Sequence, residues 1–223
     1  MQNSVIEDSS RRRPGRHGFN ETDLEKRGIQ HSFGAPVTGA ISVSDNSIAV
    51  CFGDGNVRFF RPHHAHTTVK AHEGVVLCVD AHEDHIITGG DDGRFLKISV
   101  DGKVKEIANF NSKWVDCVAA KDGISVCSSG SSVYIWSNDH VEPTILKHSS
   151  TVGGLAFDNK GKRLAVAHYG GTTIWEKGDR RWKSKKLIWK GFHGAVTFSP
   201  DGKYVVTAMQ ENALHGWRIR DKA

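Results

Sequence analysis

Thirteen histidines in a chain of 223 residues raise the question of metal chemistry, and two short runs are dense enough to ask it. In His63-His64-Ala65-His66 the second and last imidazoles would share a face if the segment is extended. His82-Glu83-Asp84-His85 offers four donors in a row. A zinc site closes with three or four ligands at defined spacings, and neither run supplies such a set, so both read as surface-loop histidines and no metal is expected. Gly89-Gly90-Asp91-Asp92-Gly93 has the glycine content of a phosphate cradle but lies in no strand-to-helix context. Hairpin geometry explains it better. No nucleophile elbow is present, and the sequence presents neither a catalytic residue nor a cofactor motif.

Charge is the second chemical feature. Residues 177–190 carry Lys177, Arg180, Arg181, Lys183, Lys185, Lys186 and Lys190 against the single acid Asp179. With the whole chain at +5, this stretch holds all of the excess. Trp182 and Trp189 are interleaved with the cations, a combination that can track a phosphate backbone and stack bases, or hold an acidic protein segment. The plainer reading is a solvated edge strand whose lysines block pairing with another sheet. A smaller cluster, Arg11-Arg12-Arg13-Pro14-Gly15-Arg16, has the look of a localisation or nucleic-acid element, a pattern common by chance.

The elements that would carry these residues recur. A bulky apolar side chain returns at Phe60, Ile98, Trp136, Trp175 and Trp217, in steps of 38, 38, 39 and 42 residues. Beneath it run further columns: Val37, Val75, Lys113 and Val152 open one strand-like run, and Ile48, Ile86, Ile124 and Leu164 open the next. Between the second and third runs stand Gly53-Asp54-Gly55-Asn56, Gly90-Asp91-Asp92-Gly93, Gly130-Ser131-Ser132 and Tyr169-Gly170-Gly171, where glycine and short polar residues suit a hairpin with positive φ. Repeats of about 40 residues, each holding several short strands, indicate an all-β chain of propeller blades. Five units are expected, starting near residues 35, 73, 112, 149 and 192.

Particular residues narrow this further. The runs Leu155-Ala156-Phe157-Asp158-Asn159-Lys160-Gly161 and Val196-Thr197-Phe198-Ser199-Pro200-Asp201-Gly202, with Trp136, Trp175 and Trp217 closing a third strand, resemble the WD-repeat family of β-propellers. His72, Thr88 and Asp92 match three members of that family's buried His–Ser/Thr–Asp–Trp network, with Ile98 standing in the tryptophan column. In the tryptophan-bearing units the aspartate column holds Gly130, Tyr169 and Glu211, so no unit has the full set. Residues 205–217 are also similar to a stretch of alphaproteobacterial WD-repeat proteins that continue into further blades.

The resemblance implies a rigid, non-catalytic platform that binds a protein or peptide through the loops before the first strand and between the second and third strands of each unit. The candidates are Trp114, His168, Tyr169, Met209, Gln210 and Glu211. Two alternatives stand beside it: nucleic-acid or polyanion binding by residues 177–190, and a channel-centred hydrolase or lyase. Rings of this family hold about seven blades, so five imply an open arc or an incomplete ring. Residues 29–33 (Ile29, Gln30, His31, Ser32, Phe33) alternate like a strand and are expected to close the last blade.

Residues 1–28 mix acids and bases with little apolar periodicity and are expected to be a disordered tail. The repeat region spans 29–219, followed by a short end at 220–223. No apolar run approaches the ~18 residues of a membrane span, and the first residues lack a signal core. A cytoplasmic protein without membrane contact is expected. Cys51, Cys78, Cys117 and Cys127 lie in apolar strand-like runs and read as reduced core thiols.

Overall fold

The computed structural model describes residues 23, 28, 30–44, 46–62, 64–137, 142–179 and 181–219. Two compact units are distinguished, Met1–Gly34 and Ala35–Ala223. In the first, the rings of His31 and Phe33 stack at 5.8 Å.

The second unit is all-β. Its strands are β1 (Val37–Ser42), β2 (Ile48–Phe52), β3 (Asn56–Phe60), β4 (Thr67–Lys70), β5 (Val76–His82), β6 (His85–Gly90), β7 (Arg94–Ser99), β8 (Val104–Asn109), β9 (Cys117–Lys121), β10 (Ile124–Ser129), β11 (Ser132–Ser137), β12 (Thr144–Lys147), β13 (Val152–Phe157), β14 (Arg163–Lys177), β15 (Trp182–Phe198), β16 (Tyr204–Met209) and β17 (Leu214–Arg218). The sheets run β1-β2-β3-β4, β5-β6-β7-β8, β9-β10-β11-β12 and β13-β14-β15-β16-β17, with antiparallel neighbours throughout.

The five-stranded sheet holds two blades joined by long strands. β14 folds back on itself at Tyr169-Gly170-Gly171, where both glycines have positive φ (90° and 135°), so that Lys177 N donates to Lys162 O at 2.8 Å. Residues 182–188 of β15 then pair with 171–177, completing the fourth blade. The same strand continues into residues 193–198, which pair with β16 and begin the fifth. The five units expected from the period are therefore present, with hairpins at the four glycine-bearing turns. β9 starts at Cys117 rather than near Lys113, leaving Trp114 in a loop.

The second, third and fourth blades bury both faces. Ile86 and Leu96 face the first blade, while their chain neighbours Ile87 and Phe95 face the third. Likewise Leu164 and Val166 face the third blade, and Ala165 faces the fifth. Successive strand residues point to opposite sides, so continuous apolar runs are what a sheet covered on both faces requires. Four apolar seams result, one between each consecutive pair of blades, and β1, β5, β9, β13 and the second half of β15 lie side by side along them. No packing of similar extent joins β1 to β15, β16 or β17 among the described residues.

A register shift recurs at the start of the inner strand: at Val37/Gly39, Val76/Cys78, Val152/Gly154 and His193/Ala195. Such a bulge turns the strand locally, here where each blade's loop face begins. It is a repeat signal independent of the tryptophan column.

The closing strand expected at residues 29–33 is corrected. Gln30, His31, Ser32 and Phe33 are irregular and join no sheet; Ile29 lies outside the described residues. Alternation specifies which side chains would share a face, but a strand exists only where a neighbour supplies ladder hydrogen bonds, and Gly34 at φ 69° turns the chain before β1. The tail expected over residues 1–28, with its arginine cluster, falls outside the described residues apart from Asp23 and Gly28, as do His63, Arg180 and residues 220–223.

Candidate interaction face and its supporting network

In each blade the turn between the second and third strands and the loop leading into a first strand stand on the same side. Backbone bonds tie them together: Ala71 N to Gly55 O at 3.0 Å, Phe110 N to Gly93 O at 2.8 Å, His148 N to Ser131 O at 2.9 Å and Gln210 N to Phe192 O at 3.1 Å. A Cβ added at Gly93 would overlap the Asn111 carbonyl. The glycine run at 89–93 is therefore filled by protein on that side, as its hairpin reading requires.

Trp114 is held in this face by its neighbours. Lys113 N donates to Phe110 O at 3.3 Å and Val115 N to Gly90 O at 3.0 Å, while the indole is 60% exposed. Tyr169 is presented similarly. Its N–H donates to Ser150 Oγ at 3.1 Å, the same hydroxyl donates back to Tyr169 O at 3.3 Å, and the side chain is 54% exposed. Fixed backbone under an exposed aromatic ring lowers the ordering cost of docking. Gln210 and Glu211 are exposed and Met209 is half-buried. Glu211 and Met209 both crowd Gly191, where a Cβ would meet the Met209 methyl at 2.7 Å and a Glu211 oxygen at 2.9 Å.

His168 departs from that set. It is buried, with Nδ1 2.9 Å from Tyr169 O and Nε2 2.9 Å from Thr173 Oγ1, so its ring supports the face from beneath. Both nitrogens are occupied, one by the next residue's carbonyl and one by a hydroxyl beyond the turn.

Beneath the loops lies a polar layer that changes from blade to blade. In the second blade His72 is fully buried, with Nδ1 2.9 Å from Asp92 Oδ1 and Nε2 2.9 Å from Thr88 Oγ1. Burial lowers the imidazole pKa, keeping it neutral, so Nδ1–H donates to the carboxylate and Nε2 accepts from the hydroxyl. Burial alone would raise the Asp92 pKa, yet bonds from His72, Arg94 N (3.1 Å) and Glu73 N (3.0 Å) hold it low. Ile98, in the tryptophan column, is fully buried in the seam with the first blade. The isoleucine fills that seam without an indole donor, whose hydrogen bond would be worth about 1 kcal/mol.

In the third blade the buried Ser128 hydroxyl donates to Asp116 at 3.0 Å, and Trp136 packs on Phe95 at 5.4 Å. In the fourth, Trp175 Nε1–H donates to His148 Nε2 at 3.1 Å, and His148 lies 5.4 Å from His168, ring to ring. Burial, then the neighbouring His168, pushes the His148 pKa down to about 4. In the fifth, His193 Nδ1 lies 2.7 Å from Thr207 Oγ1, and Trp217 packs against His193 and His215 at 5.7 and 4.3 Å.

His148, His193 and Asp116 are members of this polar layer that the sequence columns did not mark. His148 was accessible: it precedes Val152 by the same interval as His72 precedes Val76. His193 and Asp116 reach their hydroxyls from other positions, and no column marks them.

The other candidate chemistries are placed as follows. His66 stacks on Phe60 at 5.5 Å, and His64 is exposed. His82 Nε2 sits 3.4 Å from Gly123 N and 3.4 Å from Glu83 Oε1, while His85 Nδ1 lies 3.2 Å from Asp84. No metal-holding group of three ligands occurs among the described residues. A polar pocket of about 370 Å³ opens between the inner strands of the second, third and fourth blades, near Asp80, Lys121 and Asn159. Asp80 accepts from Ala81 N and Ala120 N, each at 2.8 Å, so its carboxyl bridges two blades. The four cysteines are unpaired, and burial pushes the Cys51 and Cys117 thiols up to about 12, far from reactive thiolates.

The basic stretch divides between two faces. Trp182 packs into the seam with the third blade and Leu187 into the seam with the fifth, so alternation places Lys186 on the first side and Lys183 and Lys185 on the second. Lys177, Arg181 and Lys190 are exposed around them.

Against known proteins, residues 64–96 match the family described as WD domain, G-beta repeat. That stretch contains His72, Thr88 and Asp92, the unit whose network is most complete. No curated protein matches the chain.

Proposed function

We propose, from the WD repeat at residues 64–96 and the all-β blades around it, that this chain is a non-catalytic interaction platform. Its partner, a protein or peptide, docks on the loop face carrying Trp114, Tyr169, Met209, Gln210 and Glu211. WD repeats generally serve as protein-binding scaffolds, which supports the reading. The observation that carries it is the presentation of Trp114 and Tyr169, two aromatic rings more than half exposed on backbone pinned by hydrogen bonds. Rigid aromatic anchors are where interface energy concentrates. Four unpaired thiols suit a reducing compartment, so the reading includes residence in the cytoplasm. No helix of the described residues is long and apolar enough to cross a membrane.

The test is affinity capture from the native cell with the wild-type chain and with Trp114→Ala/Tyr169→Ala. The double variant is expected to lose the captured partner while its melting temperature moves by no more than about 4 °C, since exposed substitutions cost little. Unchanged capture would remove these rings from the site, and loss of fold would assign them to the core.

A further inference from the structure

The outermost strand of the fourth blade differs from those of the blades before it. β4 and β12 have four residues each, and in β8 Glu106 is bonded to Arg94 at 2.7 Å. Residues 182–188 run in ladder register with 171–177 along one edge, and the other edge pairs with no strand among the described residues. That edge presents a row of backbone donors and acceptors. Lys183, Lys185 and Lys186 are exposed along it, with Arg181 and Lys190 at its ends. None of these five makes an ion pair or side-chain hydrogen bond among the described residues, whereas Arg94, Lys103, Arg163 and Lys203 each have an acidic partner. Ile188, at the end of the ladder, is 78% exposed.

We propose that this edge binds an acidic segment of a partner protein in extended conformation, added as a further strand on the outside of the fourth blade. The proposal rests on the platform reading and assigns a second surface, away from the loop face. Strand addition draws affinity from main-chain hydrogen bonds and specificity from alternate side chains. The alternation fits: carboxylates on one side of the added strand meet Lys183 and Lys185, and apolar residues on the other lie alongside Ile188. Lysines that repel a basic edge attract an acidic one. Single-stranded nucleic acid fits less well, since it needs aromatic platforms. Trp182 is packed into a seam and Trp189 already stacks on His215 at 4.0 Å.

The experiment uses the full chain and a fluorescent peptide of alternating glutamate and valine, read by anisotropy. Two control peptides carry N-methyl groups on alternate residues, one in each phase, leaving charge unchanged; an oligodeoxythymidine of equal charge is the third probe. The unmodified peptide is expected to bind, and Lys183→Glu/Lys185→Glu to weaken it by about tenfold, the combined effect of two lost attractions and two new repulsions. One methylated phase is expected to lose binding. Equal binding of both methylated peptides would show attraction by charge alone and overturn strand addition, as would no binding of the peptide or tighter binding of the oligonucleotide. If the charge-reversed chain misfolds, Lys183→Gln/Lys185→Gln takes its place with the same expected direction. Trp114→Ala/Tyr169→Ala should leave peptide binding unchanged; loss there would move the site to the loop face. Peptide binding together with partner capture that Trp114→Ala/Tyr169→Ala leaves unchanged overturns the loop-face reading alone.

Discussion

His72 in the second blade and His148 in the fourth occupy the same place, four residues before the inner strand begins at Val76 and Val152, but meet opposite surroundings. His72 has a carboxylate on Nδ1 and a hydroxyl on Nε2. A proton added to Nε2 would still find an acceptor in Thr88, which can reverse its bond, and its charge would face Asp92. His148 has an indole N–H pointing at Nε2, and the backbone of Ser131 and Leu146 offsets only part of the cost of burying its charged form. A proton on Nε2 would oppose the Trp175 donor, with His168 and Lys186 adding positive charge nearby. The same neutral imidazole is thus anchored by a carboxylate in one blade and by an indole donor in the other.

The largest expected effect comes from removing the anchor of the second blade. Asp92→Ala leaves His72 Nδ1–H, Glu73 N and Arg94 N without their acceptor and should destabilise the domain by about 2–4 kcal/mol, read from the urea midpoint. A loss below about 0.5 kcal/mol would mean the carboxylate is incidental.

Next comes acid. The folded pKa of His148 is depressed from 6.5 to about 4, so between those values the unfolded chain binds the extra proton. Its contribution to stability is therefore complete above pH 6.5 and is lost as pH falls towards 4. Hydrogen exchange, corrected for intrinsic rate, should show β14 opening at pH 5 before β6 does. Simultaneous opening would deny the contrast between the blades.

Trp175→Phe should cost about 1 kcal/mol at neutral pH through the lost hydrogen bond. It should also flatten the acid dependence, because His148 Nε2 becomes free to take a proton. A stability curve against pH with unchanged slope would show that burial and the neighbouring cations depress this group without help from the indole.

The smallest effect sharpens the comparison by converting one blade into the other. Tyr169 occupies the column of Asp92, and Tyr169→Asp should supply a carboxylate to the fourth blade, raise the His148 pKa measured by NMR, and add roughly 0.5 kcal/mol at pH 5. An unmoved titration would show that the shorter hairpin at residues 169–171 holds position 169 away from the ring.

Much of the fold was legible because its causes are local. The hairpin at residues 53–56 needs Gly55 at φ 79°, and Ile98, Trp136, Trp175 and Trp217 recur because each of their blades closes its third strand against the seam with the blade before it. Less of the interaction layer was legible. The exposure of Trp114 and Tyr169 was legible because loops that need no network aspartate leave their side chains outside. His168, read as a surface residue, is buried, its ring bonded to the Thr173 hydroxyl beyond the turn.

By itself, the sequence determined the number of blades and the places of their turns, since these follow from the repeat period and from glycine at left-handed positions. Only the tertiary structure decided which partner each buried polar group receives: Asp92 for His72, Trp175 for His148, Thr207 for His193 and Asp116 for Ser128. It likewise decided that residues 30–33 join no sheet and that the lysines of β15 divide between two faces. The physical reason is one of range. Alternation and turn propensity act within a few residues, whereas a buried donor takes whichever acceptor the packing of strands and loops brings within 3 Å, and these pairs are separated by 12 to 27 residues of chain.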